Sequence, residues 1–173
     1  AMERAVYFSN VLGIDLGMFY KRRDYSTIVN GKNPIVAHEF LGTSLTGKDV
    51  IIIDDMISSG GSMLDTAKQL KAMNAKRVYI CCTFGLFTDG LDRFDEAYEK
   101  CYFDKVVTTN LTYQPPELKS KPYYLEADMS KFLASIIDFM NHDSSMMNVY
   151  TPTEKIQEIL AKYNNRENMY ITE

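Results

Sequence analysis

Apolar residues recur along the chain in short runs that alternate with amphipathic stretches. Val50-Ile51-Ile52-Ile53 places four β-branched residues in a row, the signature of a buried strand. Ser62 to Met73 follows as a helix. Arg77 to Thr83 is a second buried strand, Gly90 to Lys100 a helix, Lys105 to Thr109 a strand and Tyr123-Tyr124-Leu125 a short one. Lys131 to Asn141 has the spacing of an amphipathic helix. Upstream, Glu3 to Leu12 reads as a helix with apolar Val6, Val11 and Leu12, and Leu16 to Tyr20 as a short strand. Asp24 to Lys48 is polar, with turn signals at Asn30-Gly31 and Asn33-Pro34, and reads as loop containing a strand at Ile35 to Phe40. Downstream, Thr151 is the predicted N-cap of a last helix through Ala161, with Pro152 at its first position and Glu154 three residues on.

Strands that alternate with helices, and that are continuous apolar runs, predict an α/β fold. Its sheet is mostly parallel, with helices on both faces in a Rossmann-like three-layer arrangement. Ligands of such sheets bind outside the carboxyl ends of the strands. The segments after Tyr20, Ile53 and Cys82 are expected at that edge.

Composition narrows the class. At 173 residues, 46% hydrophobic and 24% charged, the chain suits one soluble globular domain. A formal net charge of -4 argues against a nucleic-acid or membrane-surface partner. No apolar run approaches the ~20 residues that cross a bilayer, and no signal peptide is visible. Cys81, Cys82 and Cys101 lack metal-ligand spacing, read as small core hydrophobes, and fit a reducing, cytoplasmic setting. His38 and His142 lie in different elements without ligand spacing and read as structural or exposed. Ala1 to Ala5 resembles the interior or first turn of a helix, so the chain is expected to be a piece of a longer polypeptide.

The candidate chemistry centres on Asp54-Asp55-Met56-Ile57-Ser58-Ser59-Gly60-Gly61-Ser62. Asp54 and Asp55, after the apolar strand, suit hydrogen bonds from vicinal hydroxyls or a hydrated Mg²⁺. Ser58, Ser59, Gly60, Gly61 and Ser62 can curl backbone N–H groups around a phosphate at a helix N-terminus. A sugar phosphate presents both groups. Lys21-Arg22-Arg23, followed by a polar loop, supplies cations for a transferring phosphoryl group. As a bare charge run it reads first as a solvated face, and only together with the acidic loop does it point to chemistry.

The acidic glycine-rich run resembles the phosphoribosyl-pyrophosphate (PRPP) motif of type I phosphoribosyltransferases. The wider set is similar to the C-terminal half of ribose-phosphate pyrophosphokinases: Lys21-Arg22-Arg23, Lys76 to Thr83, Val107-Thr108-Thr109-Asn110, the Met129–His142 helix and Ser144-Ser145. It covers roughly residues 2 to 149. The resemblance implies that Lys21 is catalytic, that Arg23 contacts the transition state or the ATP phosphates, and that Asp54 and Asp55 bind ribose hydroxyls. It assigns Ser58 to Ser62 to the 5-phosphate of ribose 5-phosphate. It implies diphosphoryl transfer from Mg-ATP to ribose 5-phosphate, with Mg²⁺ held mainly by nucleotide and by an N-terminal domain outside this chain, in a homo-oligomer. Residues 1–149 would then form the ribose-5-phosphate domain and 150–173 a helical extension. Departures from the family pattern are Ser58, where an aspartate is common, and a longer stretch from Arg23 to Asp54. Two rivals stay open: a phosphoribosyltransferase that uses PRPP, and a catalytically silent regulatory homologue.

Overall fold

The computed structural model describes residues 2–23, 35–143 and 152–170, with residues 21–23, 35–38 and 166–170 as backbone only. In chain order the elements are α1 (Met2–Leu12), β1 (Met18–Arg23), β2 (Ile35–Leu41), β3 (Asp49–Ile57), α2 (Gly61–Ala72), β4 (Arg77–Gly85) and α3 (Asp92–Glu99). They continue with β5 (Lys105–Thr109), α4 (Pro116–Lys119), β6 (Tyr124–Ala127), α5 (Ser130–Asn141) and α6 (Pro152–Tyr170).

Strands β3 to β6 form a parallel sheet in the order β3-β4-β5-β6, each strand beside its successor in the chain. Paired residues of a parallel ladder share a face, so Ile52, Ile80, Val106 and Tyr124 make one row across the sheet. That row meets Met63, Leu64, Ala67 and Leu70 of α2, Phe94 and Ala97 of α3 and Leu118 of α4 in the buried core. The opposite face carries Ile51, in register with Tyr79 and Lys105, and Leu125, in register with Val107, Cys81 and Ile53; the two keep 44% and 49% of their surface exposed. Helix α1 touches both β3 and α6. Gln157 Nε2 donates to the Val11 carbonyl at 2.8 Å, and the Tyr7 and Thr153 hydroxyls lie 3.1 Å apart. Among the described residues no helix is long and apolar enough to cross a membrane.

The predicted parallel α/β core is present, with corrections. Lys21-Arg22-Arg23 does not follow a strand of the parallel sheet. It lies inside β1, which pairs antiparallel with β2 in a separate two-stranded sheet, Lys21 opposite His38. Among the described residues this ribbon adds no strand to the parallel ladder. Strands β3 and β4 also outrun their predicted ends, because Met56 pairs with Phe84 and Ile57 with Gly85. Asp54 and Asp55 thus sit within β3 rather than beyond it. Helix α4 was not expected; Pro116 at its first turn starts it where no N–H is needed. Helix α6 runs past Ala161 to Tyr170. Thr151, Ser144, Ser145 and the loop at residues 24–34 lie outside the described residues.

Candidate functional site

Strand β3 delivers two adjacent carboxylates to the C-terminal end of the sheet. Asp54 pairs in register with Cys82 and is half-buried, whereas Asp55 is exposed. The Asp55 N–H donates to Asp54 Oδ1 at 2.9 Å. The Asp55 carboxyl is held below the usual carboxylate range by hydrogen bonding with the Asp54 side chain, then by its own backbone N–H and by the charge of Arg4. It therefore stays an acceptor at neutral pH, suited to hydroxyl donors.

The chain then turns through Ser58 and Ser59 into Gly60, whose φ of 79° and ψ of -7° place it in the left-handed region. A glycine is required twice over there. Besides the positive φ, a Cβ would stand 2.3 Å from Cζ of Phe94. The Gly60 carbonyl accepts from the N–H groups of Met63 at 3.1 Å and Leu64 at 2.9 Å. No side chain caps α2. The N–H groups of Gly61 and Ser62 precede the first intrahelical bond, so they face outward at the positive end of the helix dipole.

The β4–α3 connection braces this turn. Leu86 N–H donates to the Ile57 carbonyl at 2.8 Å and Thr88 N–H to the Ser58 carbonyl at 3.1 Å. The Ser58 and Thr88 hydroxyls lie 3.4 Å apart. Phe94 is fully buried beneath Gly60, and its neighbour Arg93 brings Nη1 to 3.7 Å from the point where a Cβ on Gly61 would stand. A cleft of about 380 Å³ between α2 and α3 opens from Gly61 past Asp65, Lys68, Arg93, Lys100 and Tyr102. Sequence reasoning missed Arg93 and Thr88. The one available signal is the apolar Phe94 in a charged helix, which marks the face of α3 that packs inward.

The structure thus brings Asp54, Asp55, Ser58, Ser59, Gly60, Gly61 and Ser62 into one continuous strand–turn–helix segment. The backbone of Lys21 and Arg23 lies in β1, and their side chains fall outside the described residues. Burial, then the charge of Asp54, pushes the Cys82 thiol up to about 12, and burial raises Cys81 as well. Neither is a thiolate at neutral pH. Among the described residues no group of three His, Cys, Asp or Glu side chains comes together around a metal position. Asp54 and Asp55 are hard oxygen donors that suit Mg²⁺, but two carboxylates leave most of its six ligands to other sources.

Residues 1–121 match the model of the phosphoribosyl transferase domain, and the chain belongs to that family. Its homologues include the ribose-phosphate pyrophosphokinase of Thermococcus kodakarensis, 34% identical over 110 residues that span 63% of this chain and 37% of that protein. The enzyme of the same name from Corynebacterium glutamicum is 36% identical over 64% of this chain and 32% of its own length. That of Mycoplasma pneumoniae is 26% identical over 87% and 44%. The chain therefore spans less than half the length of these relatives. The crystal structure of phosphoribosylpyrophosphate synthetase from Mycobacterium smegmatis shares the fold, with a TM-score of 0.66 at 22% identity over 82% of this chain and 42% of that one.

Proposed function

We propose that this chain carries the ribose-5-phosphate half of a ribose-phosphate diphosphokinase. The observation that carries the reading is the direct run from the Asp54–Asp55 pair into an uncapped helix N-terminus, hydroxyl acceptors beside phosphate donors. The naming of its homologues as ribose-phosphate pyrophosphokinases supports it.

In this reading the N–H groups and hydroxyls of Ser58 to Ser62 hold the 5-phosphate, and Asp54 and Asp55 accept from the ribose hydroxyls. The anomeric hydroxyl oxygen attacks the β-phosphorus of ATP and gives up its proton to solvent, the bond from that phosphorus to the α,β-bridging oxygen breaks, and AMP leaves. Catalysis of this kind is positioning and charge stabilisation. Lys21 and Arg23 supply the positive charge for the transferred group. Bound with the nucleotide, Mg²⁺ neutralises phosphate charge. Most of the nucleotide site belongs to an N-terminal domain that the longer relatives have room for, and the working enzyme is a cytoplasmic homo-oligomer. Residues 1–149 form the sugar-phosphate domain and 150–173 an extension.

The test is calorimetric titration of the chain with ribose 5-phosphate, ribose and inorganic phosphate. Ribose 5-phosphate is expected to bind best, and Asp54→Asn/Asp55→Asn to lose the preference over inorganic phosphate. Equal binding of ribose 5-phosphate and phosphate sinks the sugar assignment. The chain alone is expected to make little PRPP from ATP, and ordinary turnover would refute the half-site view. Release of pyrophosphate from PRPP in the presence of a purine or pyrimidine base points instead to a phosphoribosyltransferase.

A further inference from the structure

We infer that Arg93, on the first turn of α3, is the cationic ligand of the phosphate held at the start of α2. The inference rests on the sugar-phosphate reading above and adds a residue that reading does not contain. The turn from Ser58 to Ser62 offers only neutral N–H and O–H donors. A phosphate dianion drawn out of water onto such donors gains about half a charge of compensation from the helix dipole. Charge-assisted, bidentate contact with a guanidinium supplies what is missing.

Arg93 is in place for that contact. Its Nη1 stands 3.7 Å, and the Ser59 hydroxyl 3.9 Å, from the point a Gly61 Cβ would occupy, so the missing side chain leaves a gap bordered by a guanidinium and a hydroxyl. The backbone that carries Arg93 is held by its neighbour. Phe94, the next residue, is fully buried against Gly60, and Thr88 N–H donates to the Ser58 carbonyl, so the start of α3 is packed beside the turn. The guanidinium itself is lightly held. Its ion-pair partner Asp89 is 3.8 Å away, and the two side chains are 60% and 49% exposed. Exposed pairs of this kind are weak, so a dianion can take Arg93 from Asp89. Lys100, farther along the same cleft, is instead engaged by Glu96 one helical turn away.

The experiment follows the amide resonances of Gly61 and Ser62 in the ¹⁵N-labelled 173-residue chain, titrated with inorganic phosphate and with ribose 5-phosphate at constant ionic strength. Arg93→Met is expected to weaken both ligands about tenfold or more, Arg93→Lys to recover part of the loss, and Lys100→Met to change nothing. Arg93 is exposed, so the variant should keep the wild-type spectrum elsewhere. Ribose 5-phosphate that binds Arg93→Met as tightly as wild type overturns this inference and leaves the sugar-phosphate reading standing. Phosphate binding that depends on Arg93 without preference for the sugar phosphate has the opposite meaning. A wild-type chain whose Gly61 and Ser62 signals ignore both ligands removes both.

Discussion

The Phe94 ring fills the space beside Gly60, leaving 2.3 Å between its Cζ and the place of a Cβ. That contact joins helix α3 to the turn that opens α2, and it makes the glycine sterically necessary as well as conformationally suited. Gly60→Ala is expected to lose about 2–4 kcal/mol, from the positive φ and from overpacking. Urea denaturation at neutral pH measures it. Adding Phe94→Leu to Gly60→Ala should cost less than the sum of the two single changes, because the smaller side chain relieves the clash. Strict additivity would mean that the ring and the turn do not meet.

A second prediction concerns Asp95, which accepts from the Tyr123 hydroxyl at 2.8 Å and from Lys121 Nζ at 2.6 Å. Tyr123 is buried, and burial followed by this bond raises its phenol far above the ordinary value. Tyr123→Phe should cost about 1–2 kcal/mol by leaving Asp95 with one donor fewer. Ultraviolet titration should show this tyrosine ionising only as the protein unfolds in alkali. Its ionisation in step with exposed tyrosines would contradict the placement.

The three cysteines separate by accessibility. Cys101 is exposed, Cys81 half-buried and Cys82 buried. At pH 8 a disulfide reagent such as Ellman's should label Cys101 promptly and Cys82 only in denaturant. Loss of the fast phase in Cys101→Ser checks the assignment.

Acid should weaken the fold through carboxylates whose folded forms hold their protons less well. Hydrogen bonds from Lys48 and Thr43 lower Asp15, the Arg77 bond lowers Asp49, and Ser130 with Asn110 lowers Asp128, each from an ordinary value of 3.8. A depressed folded pKa stabilises above the unfolded value, and that stability is lost as the pH falls through the folded one. The urea midpoint should therefore hold steady down to about pH 4 and fall below it. Asp128→Asn should make that fall shallower. An unchanged slope would show that Asp128 carries none of it.

Much of the core was legible because β4 and β5 lie between parallel neighbours, which buries Val78, Ile80, Cys82 and Val106. Arg77 to Thr83 and Lys105 to Thr109 appear as largely apolar runs for that reason, whereas Val50 to Ile53, expected to be a buried strand, lies in β3 at the end of the described sheet, half-buried with Ile51 exposed. Strand ends were less legible. Asp54 and Asp55 are poor strand formers, held extended by a ladder with β4 that no local pattern announces. The site's backbone turn could be read from its glycines and serines, since their conformational freedom is local. Arg93 could not, because its position comes from Phe94 packing under a turn some thirty residues earlier in the chain. The company β1 keeps was misjudged, since a short strand carries no mark of whether its partner is a distant strand or its own return.

That separate ribbon of β1 and β2 is anchored where Gly17 and Gly42 meet beneath the Phe40 ring; a Cβ on either would lie 2.6 or 2.8 Å from that ring's Cζ. Everything beyond the clasp is paired only within itself among the described residues. Insertions or deletions at the ribbon's far end therefore leave the register of β3 to β6 untouched, and each doubling of the connecting loop costs only about 0.6 kcal/mol. The span between Arg23 and Asp54 can thus change in length, and with it the reach of the segment bearing Lys21, without disturbing the turn from Asp54 to Ser62.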